Sequence, residues 1–128
     1  MQVQITVPGR QTPPAQVAQA VVVQGTVRNL PAGQEIWVFT QNPGSSRFNP
    51  QPQAAVISSA GGWTSQTFIG SGGDAGKQFQ ILAVTADAAA ANKITGYLAR
   101  AHQSGNYPGL PQIPAGATVH DKIPVIRT

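Results

Sequence analysis

Glu35-Ile36-Trp37-Val38-Phe39-Thr40 and Gln78-Phe79-Gln80-Ile81-Leu82-Ala83-Val84 decide the fold of this chain. Both are short runs of β-branched, aliphatic and aromatic residues, apolar at consecutive rather than alternate positions. A strand that is apolar on both faces must be covered on both, so these two are expected at the centre of a sheet. The neighbouring segments alternate instead. In Gln2–Val7 the residues Val3, Ile5 and Val7 share one face, and in 19–28 Val21, Val23, Gly25 and Val27 point inward. Residues 53–59 and 63–70 read as further strands, with Gly61-Gly62 turning between them and Trp63, Ser65, Thr67 and Ile69 on one face. Pro50 and Pro52 exclude a central strand where they stand, because proline donates nothing to a ladder.

One helix interrupts the β pattern. Asp87 is placed to cap it, Ala90, Ile94, Tyr97, Leu98 and Ala101 form one apolar stripe, and Gly105 is suited to a left-handed end. A last strand follows, and Pro124 puts it at an edge or on a bulge. About seven strands with regularly spaced turn signals predict an all-β sandwich. The helix, at about residues 87–103, is expected across one end or one open edge. Residues 1–17 read as an N-terminal strand and extended arm, and 18–128 as the sandwich domain.

Composition narrows the function. The 128 residues hold eight Lys and Arg, four Asp and Glu, two His and no Cys, and only 9% are charged. The net charge of +4 comes from cations scattered along the chain, whereas nucleic-acid binding calls for a clustered basic stripe, so nucleic acid is disfavoured. No run approaches the roughly 20 apolar residues that span a bilayer, so membrane insertion is not expected. The start, Met1 followed at once by a strand pattern, fits a protein made in the cytosol or a piece of a surface protein separated from its leader. The compartment stays open.

Reactive constellations are missing from the pattern. Glycines in 70–76 lead into a strand instead of a helix N-terminus, which argues against a phosphate loop and for a mobile hairpin loop. Glu35, Asp74, Asp87 and Asp121 are too separated for an evident acid–base pair or calcium cage. His102 and His120 lack metal-ligand spacing, and no nucleophile elbow occurs. No catalytic residue, cofactor or metal is therefore expected, and the chain reads as a non-enzyme. The remaining candidates are aromatic. Phe48, Trp63 and Tyr107, with Arg47 and Asn106 beside them, are the residues expected to meet a protein or glycan partner from the loops.

Several stretches occur in a telling order: Val23-x-Gly25-Thr26-Val27, Leu30-Pro31-Ala32-Gly33-x-x-Ile36-Trp37-Val38-Phe39, Phe48-Asn49-Pro50-Gln51, Gly62-Trp63, Gly70 through Phe79-x-Ile81, Tyr97-Leu98-Ala99-Arg100 and Tyr107-Pro108-Gly109-Leu110. Across about residues 18–127 this order resembles an immunoglobulin-like or fibronectin-like accessory module of bacterial surface or signalling proteins. The resemblance implies an immunoglobulin-like sandwich and a non-catalytic binding role. Phe48-Asn49-Pro50-Gln51 stands where such modules tend to show Tyr-Tyr-Pro-Gln. The alternative is a structural subunit, such as a phage capsid decoration protein, whose Gln-, Ala- and Gly-rich surface makes lattice or self-assembly contacts.

Overall fold

In the computed structural model, which describes residues 1–128, the chain forms β1 (Gln2–Val7), β2 (Ala15–Val17), β3 (Ala20–Arg28), β4 (Glu35–Gln41), β5 (Asn49–Pro50), β6 (Val56–Ile57), β7 (Gly62–Phe68), β8 (Gln78–Ala86), α1 (Ala88–Ser104) and β9 (Ala117–Arg127). The strands make two packed sheets, β1-β3-β7-β6 and β2-β9-β8-β4-β5. Every pairing is antiparallel except β2 with β9. The two runs that are apolar on both faces become β4 and β8, side by side in the interior of the five-stranded sheet.

Alternation sorts the side chains of β4 and β8 into two cores. Ile36, Val38, Phe79 and Ile81 face the other sheet, where Val23, Val27 and Trp63 meet them. Trp37, Phe39, Leu82 and Val84 face the opposite way and pack with Ala90 and Ile94 of α1. The helix therefore lies on the outer face of the five-stranded sheet, not across an end or an open edge as expected. The reason is energetic: fully burying each large apolar side chain contributes roughly 1.5–3 kcal/mol, whereas water can satisfy edge backbone groups. The expected caps are in place. Asp87 Oδ1 accepts from the Ala90 N–H at 2.9 Å, and Gly105, with φ 71°, donates to the Ala101 carbonyl at 2.8 Å.

The strands number nine, not about seven. Residues 1–17 do not form a free arm: β1 pairs with β3 in one sheet, and β2 pairs with β9 in the other. The chain thus changes sheets between Val7 and Ala15 and closes that side of the sandwich. Residues 49–57 close the opposite side, running from the β4 edge to the β7 edge; there the Gln51 and Ala55 N–H groups donate to the Val38 and Ile36 carbonyls at 2.9 and 2.8 Å. Pro50 and Pro52 limit β5 to two residues, and β6 is only Val56–Ile57 because the preceding Ala55 N–H is still bonded to Ile36 of the other sheet. Pro124 sits in β9 just before the rungs shared with β2, which begin at Val125.

One polar residue of β9, Asp121, stitches the first closure. The Ile5 N–H lies beside a register shift in β1 and donates to Asp121 Oδ2 at 2.7 Å. Arg10 pairs with the same carboxylate, and the Lys122 N–H donates to it at 2.9 Å. Burial pushes the Asp121 carboxyl up, but the hydrogen bonds from Arg10, Ile5 and Lys122 together outweigh it and hold the group below its ordinary value. His120, half-buried, sets Nε2 2.8 Å from Thr85 Oγ1, and burial holds its imidazole below its ordinary value.

Gly25 has a steric reason. It pairs with Trp63 across the ladder, and a Cβ there would overlap both the Trp63 indole and the Gln4 carbonyl oxygen. The indole therefore covers a strand glycine, and its Nε1 donates to the Thr26 carbonyl at 3.1 Å. Gly25→Ala is expected to destabilise the fold by about 1–3 kcal/mol through this overlap, read as a lower urea midpoint.

Acid sensitivity follows from β9. Both groups bind protons less readily when folded, so on acidification the unfolded chain takes them up first. Stability tied to His120 is present above its ordinary value of 6.5 and is lost as pH falls through the folded value. Stability tied to Asp121 is present above 3.8 and is lost below it in the same way. Thermal melts from neutral to acid pH should show the upper slope reduced in His120→Gln and the lower one reduced in Asp121→Asn.

Candidate functional site

Two loops meet beside the C-terminal half of α1. Phe48 and Leu110 exchange backbone hydrogen bonds of 2.9 and 2.7 Å, zipping residues 42–48 to the segment after the helix. Arg47 Nη1 donates to the Gly109 carbonyl at 3.2 Å, and the Gly109 N–H donates to the Tyr97 hydroxyl at 2.8 Å. Gly109 has φ 84°, and a Cβ there would press on Asn49 Oδ1, so glycine suits this close approach. These contacts fix one wall of a cleft of about 790 Å³.

The opposite wall is the second sandwich closure. Gln51 is buried, and its side-chain amide pairs with the Phe68 backbone like one more strand residue. Its Oε1 accepts from the Phe68 N–H at 2.8 Å, and its Nε2 lies 3.5 Å from the Phe68 carbonyl oxygen. That pairing holds the end of β7, where Phe68, 47% exposed, borders both the cleft and the outer face of the four-stranded sheet beside Val22, Thr64 and Gln66. Tyr107, 54% exposed, lines the same cleft, together with Asn42, Asn49, His102 and Asp74.

The base of the cleft reaches the loop after β7. This loop crosses between the two sheets, so it is not a hairpin turn. Arg127, buried at the end of β9, directs Nη1 to the Ile69 carbonyl at 2.9 Å and also to the Ser71 carbonyl. Asp74 accepts from the Ser71 N–H at 2.8 Å and pairs with Lys77 at 3.0 Å; those hydrogen bonds keep its carboxyl below its ordinary value. Gly70, with φ 67°, leaves room for Asp74 and the Phe79 ring.

Of the five residues expected to meet a partner, the structure brings Tyr107 to the cleft. Arg47 and Phe48 are next to it, but Arg47 locks the loop and Phe48 packs half-buried against the helix-side core. Asn106 is exposed and follows the helix cap, where its N–H donates to Ser104 Oγ at 3.2 Å. Trp63 is a correction: it is 1% exposed in the core between the sheets, because its place opposite Gly25 turns it inward. Phe68 and Gln51 were not among the five. Phe68 alternates against the inward Trp63, Ser65, Thr67 and Ile69, which was the legible sign that it faces out.

The chain matches no model of a known protein family, and no curated protein matches it. Gln51→Ala would leave the Phe68 backbone without its partner. A loss of about 1–3 kcal/mol is expected, with faster amide exchange at Phe68, measured by urea titration and hydrogen exchange.

Proposed function

We propose that this chain is a non-enzymatic recognition module that holds a neutral glycan in the cleft between α1 and the Gln51 closure. One observation carries this reading: two exposed aromatic residues, Tyr107 and Phe68, border the same cleft as Asn42 and Asn49. Aromatic faces stack on sugar rings, and amides both donate to and accept from hydroxyls. The scarcity of free charge supports a neutral ligand, since Asp74 is already paired with Lys77.

The sandwich is read as immunoglobulin-like, in keeping with the resemblance to bacterial accessory modules. Strand order supports this. With β2 and β5 set aside as added edge strands, β1-β3-β7-β6 and β9-β8-β4 follow the distribution of a constant-type immunoglobulin sandwich. The helix then occupies the connection between its last two strands.

A second reading, a self-assembling structural subunit, is favoured by the outer face of the four-stranded sheet. Gln2, Gln4, Val22, Gln24, Thr64 and Gln66 are exposed there, with Arg28 as the charged residue among them. This reading expects a particle well above 13.3 kDa in sedimentation, whereas the glycan reading expects a monomer.

Tyr107→Ala and Phe68→Ala are each expected to weaken binding to a glycan found on an array by about tenfold in calorimetry. Unchanged affinity in both variants would remove the basis of the proposal.

A further inference from the structure

We propose that a second groove, separate from the cleft, docks an acidic peptide segment of a partner protein. It lies between the exposed side of α1 and the loop after it, with a volume of about 560 Å³. Lys93 and Arg100 line it from the helix, while Leu110, Pro111 and Pro114 form the other wall.

Two of the eight cations share this groove through helical geometry. Residues seven apart lie two turns from each other on nearly the same face. Gly96, between them, gives Arg100 a floor: Nη1 would lie 3.4 Å from a Cβ placed on that glycine. The guanidinium thus lies back along the helix over Gly96. Lys93 and Arg100 line one groove that holds no carboxylate, an arrangement that a negative ligand complements.

The chain's own carboxylates are engaged elsewhere. Asp74 pairs with Lys77 and Asp121 with Arg10, which are the two ion pairs of the molecule. Asp87 caps the helix, and Glu35 Oε1 accepts from Trp37 Nε1 at 3.2 Å. Charge complementarity therefore calls for acid from outside. The wall chemistry favours a peptide over other polyanions. No aromatic ring lines the groove to stack on a base or a sugar, two cations are few for tracking a phosphate backbone, and leucine with prolines suits aliphatic side chains.

The test is fluorescence anisotropy on the full chain with a labelled peptide in which Glu alternates with Pro and Leu. Binding is expected to weaken about tenfold in the exposed double variant Lys93→Gln/Arg100→Gln and to fall steeply with salt. It should persist in Arg28→Gln, which removes a cation from the far sheet. The matching Gln peptide should not bind. The proposal is overturned by no binding of the Glu peptide, by equal binding of the Gln peptide, by an equal loss in Arg28→Gln, by an unchanged double variant, or by tighter binding of single-stranded DNA. Circular dichroism of each variant shows that the helix is intact before its affinity is read.

Discussion

The five-stranded sheet is apolar on both faces of two of its three inner strands, β4 and β8, and the rest of the structure answers that constraint. One face of β4 and β8 is met by the other sheet. The other face would present Trp37, Phe39, Leu82 and Val84 to water, and α1 covers them. The helix is thereby a third layer, not an ornament on one edge. Its axis, caps and length fix where the following loop returns, and that loop is one wall of the cleft.

Closure of the sandwich sides is the second organising feature. On each side a segment leaves one sheet and joins the other, so the two sheets are tied by chain as well as by packing. Polar side chains complete both closures. Asp121 gathers the Ile5 N–H and Arg10 on one side, and Gln51 pairs with the Phe68 backbone on the other. Each satisfies backbone or charge that would otherwise be left unmet near the core. The side held by Gln51 is also the side on which the cleft opens.

Much of the fold was legible because local patterns and tertiary needs agreed. Doubly apolar runs gave central strands, and the alternation in β3 named its inward residues Val23, Gly25 and Val27. Asp87 and Gly105 marked the ends of α1 to within a residue. What escaped was the tertiary placement of elements that local pattern leaves undetermined. The helix stripe predicted a buried face without saying what would bury it. The first residues looked like an arm because β2 is three residues long and draws its partner from the far end of the chain. Trp63 was misread because a tryptophan at a strand start looks available to solvent, whereas the glycine opposite it leaves a slot for the ring. The cleft itself combines residues from five parts of the chain, and such convergence has no local signature; only Tyr107 stood out in advance.

With both faces of the central strands occupied, the proposed glycan site falls to the cleft at the margin of the middle layer. The most direct test is an NMR titration of the full chain with the tightest neutral oligosaccharide from a glycan array. The account predicts chemical-shift changes concentrated at Asn42, Gln51, Phe68 and Tyr107, with the Trp63 indole signal unmoved. Changes centred on Gln4, Gln24 and Thr64 of the four-stranded sheet's outer face, or none at saturating sugar, would contradict it.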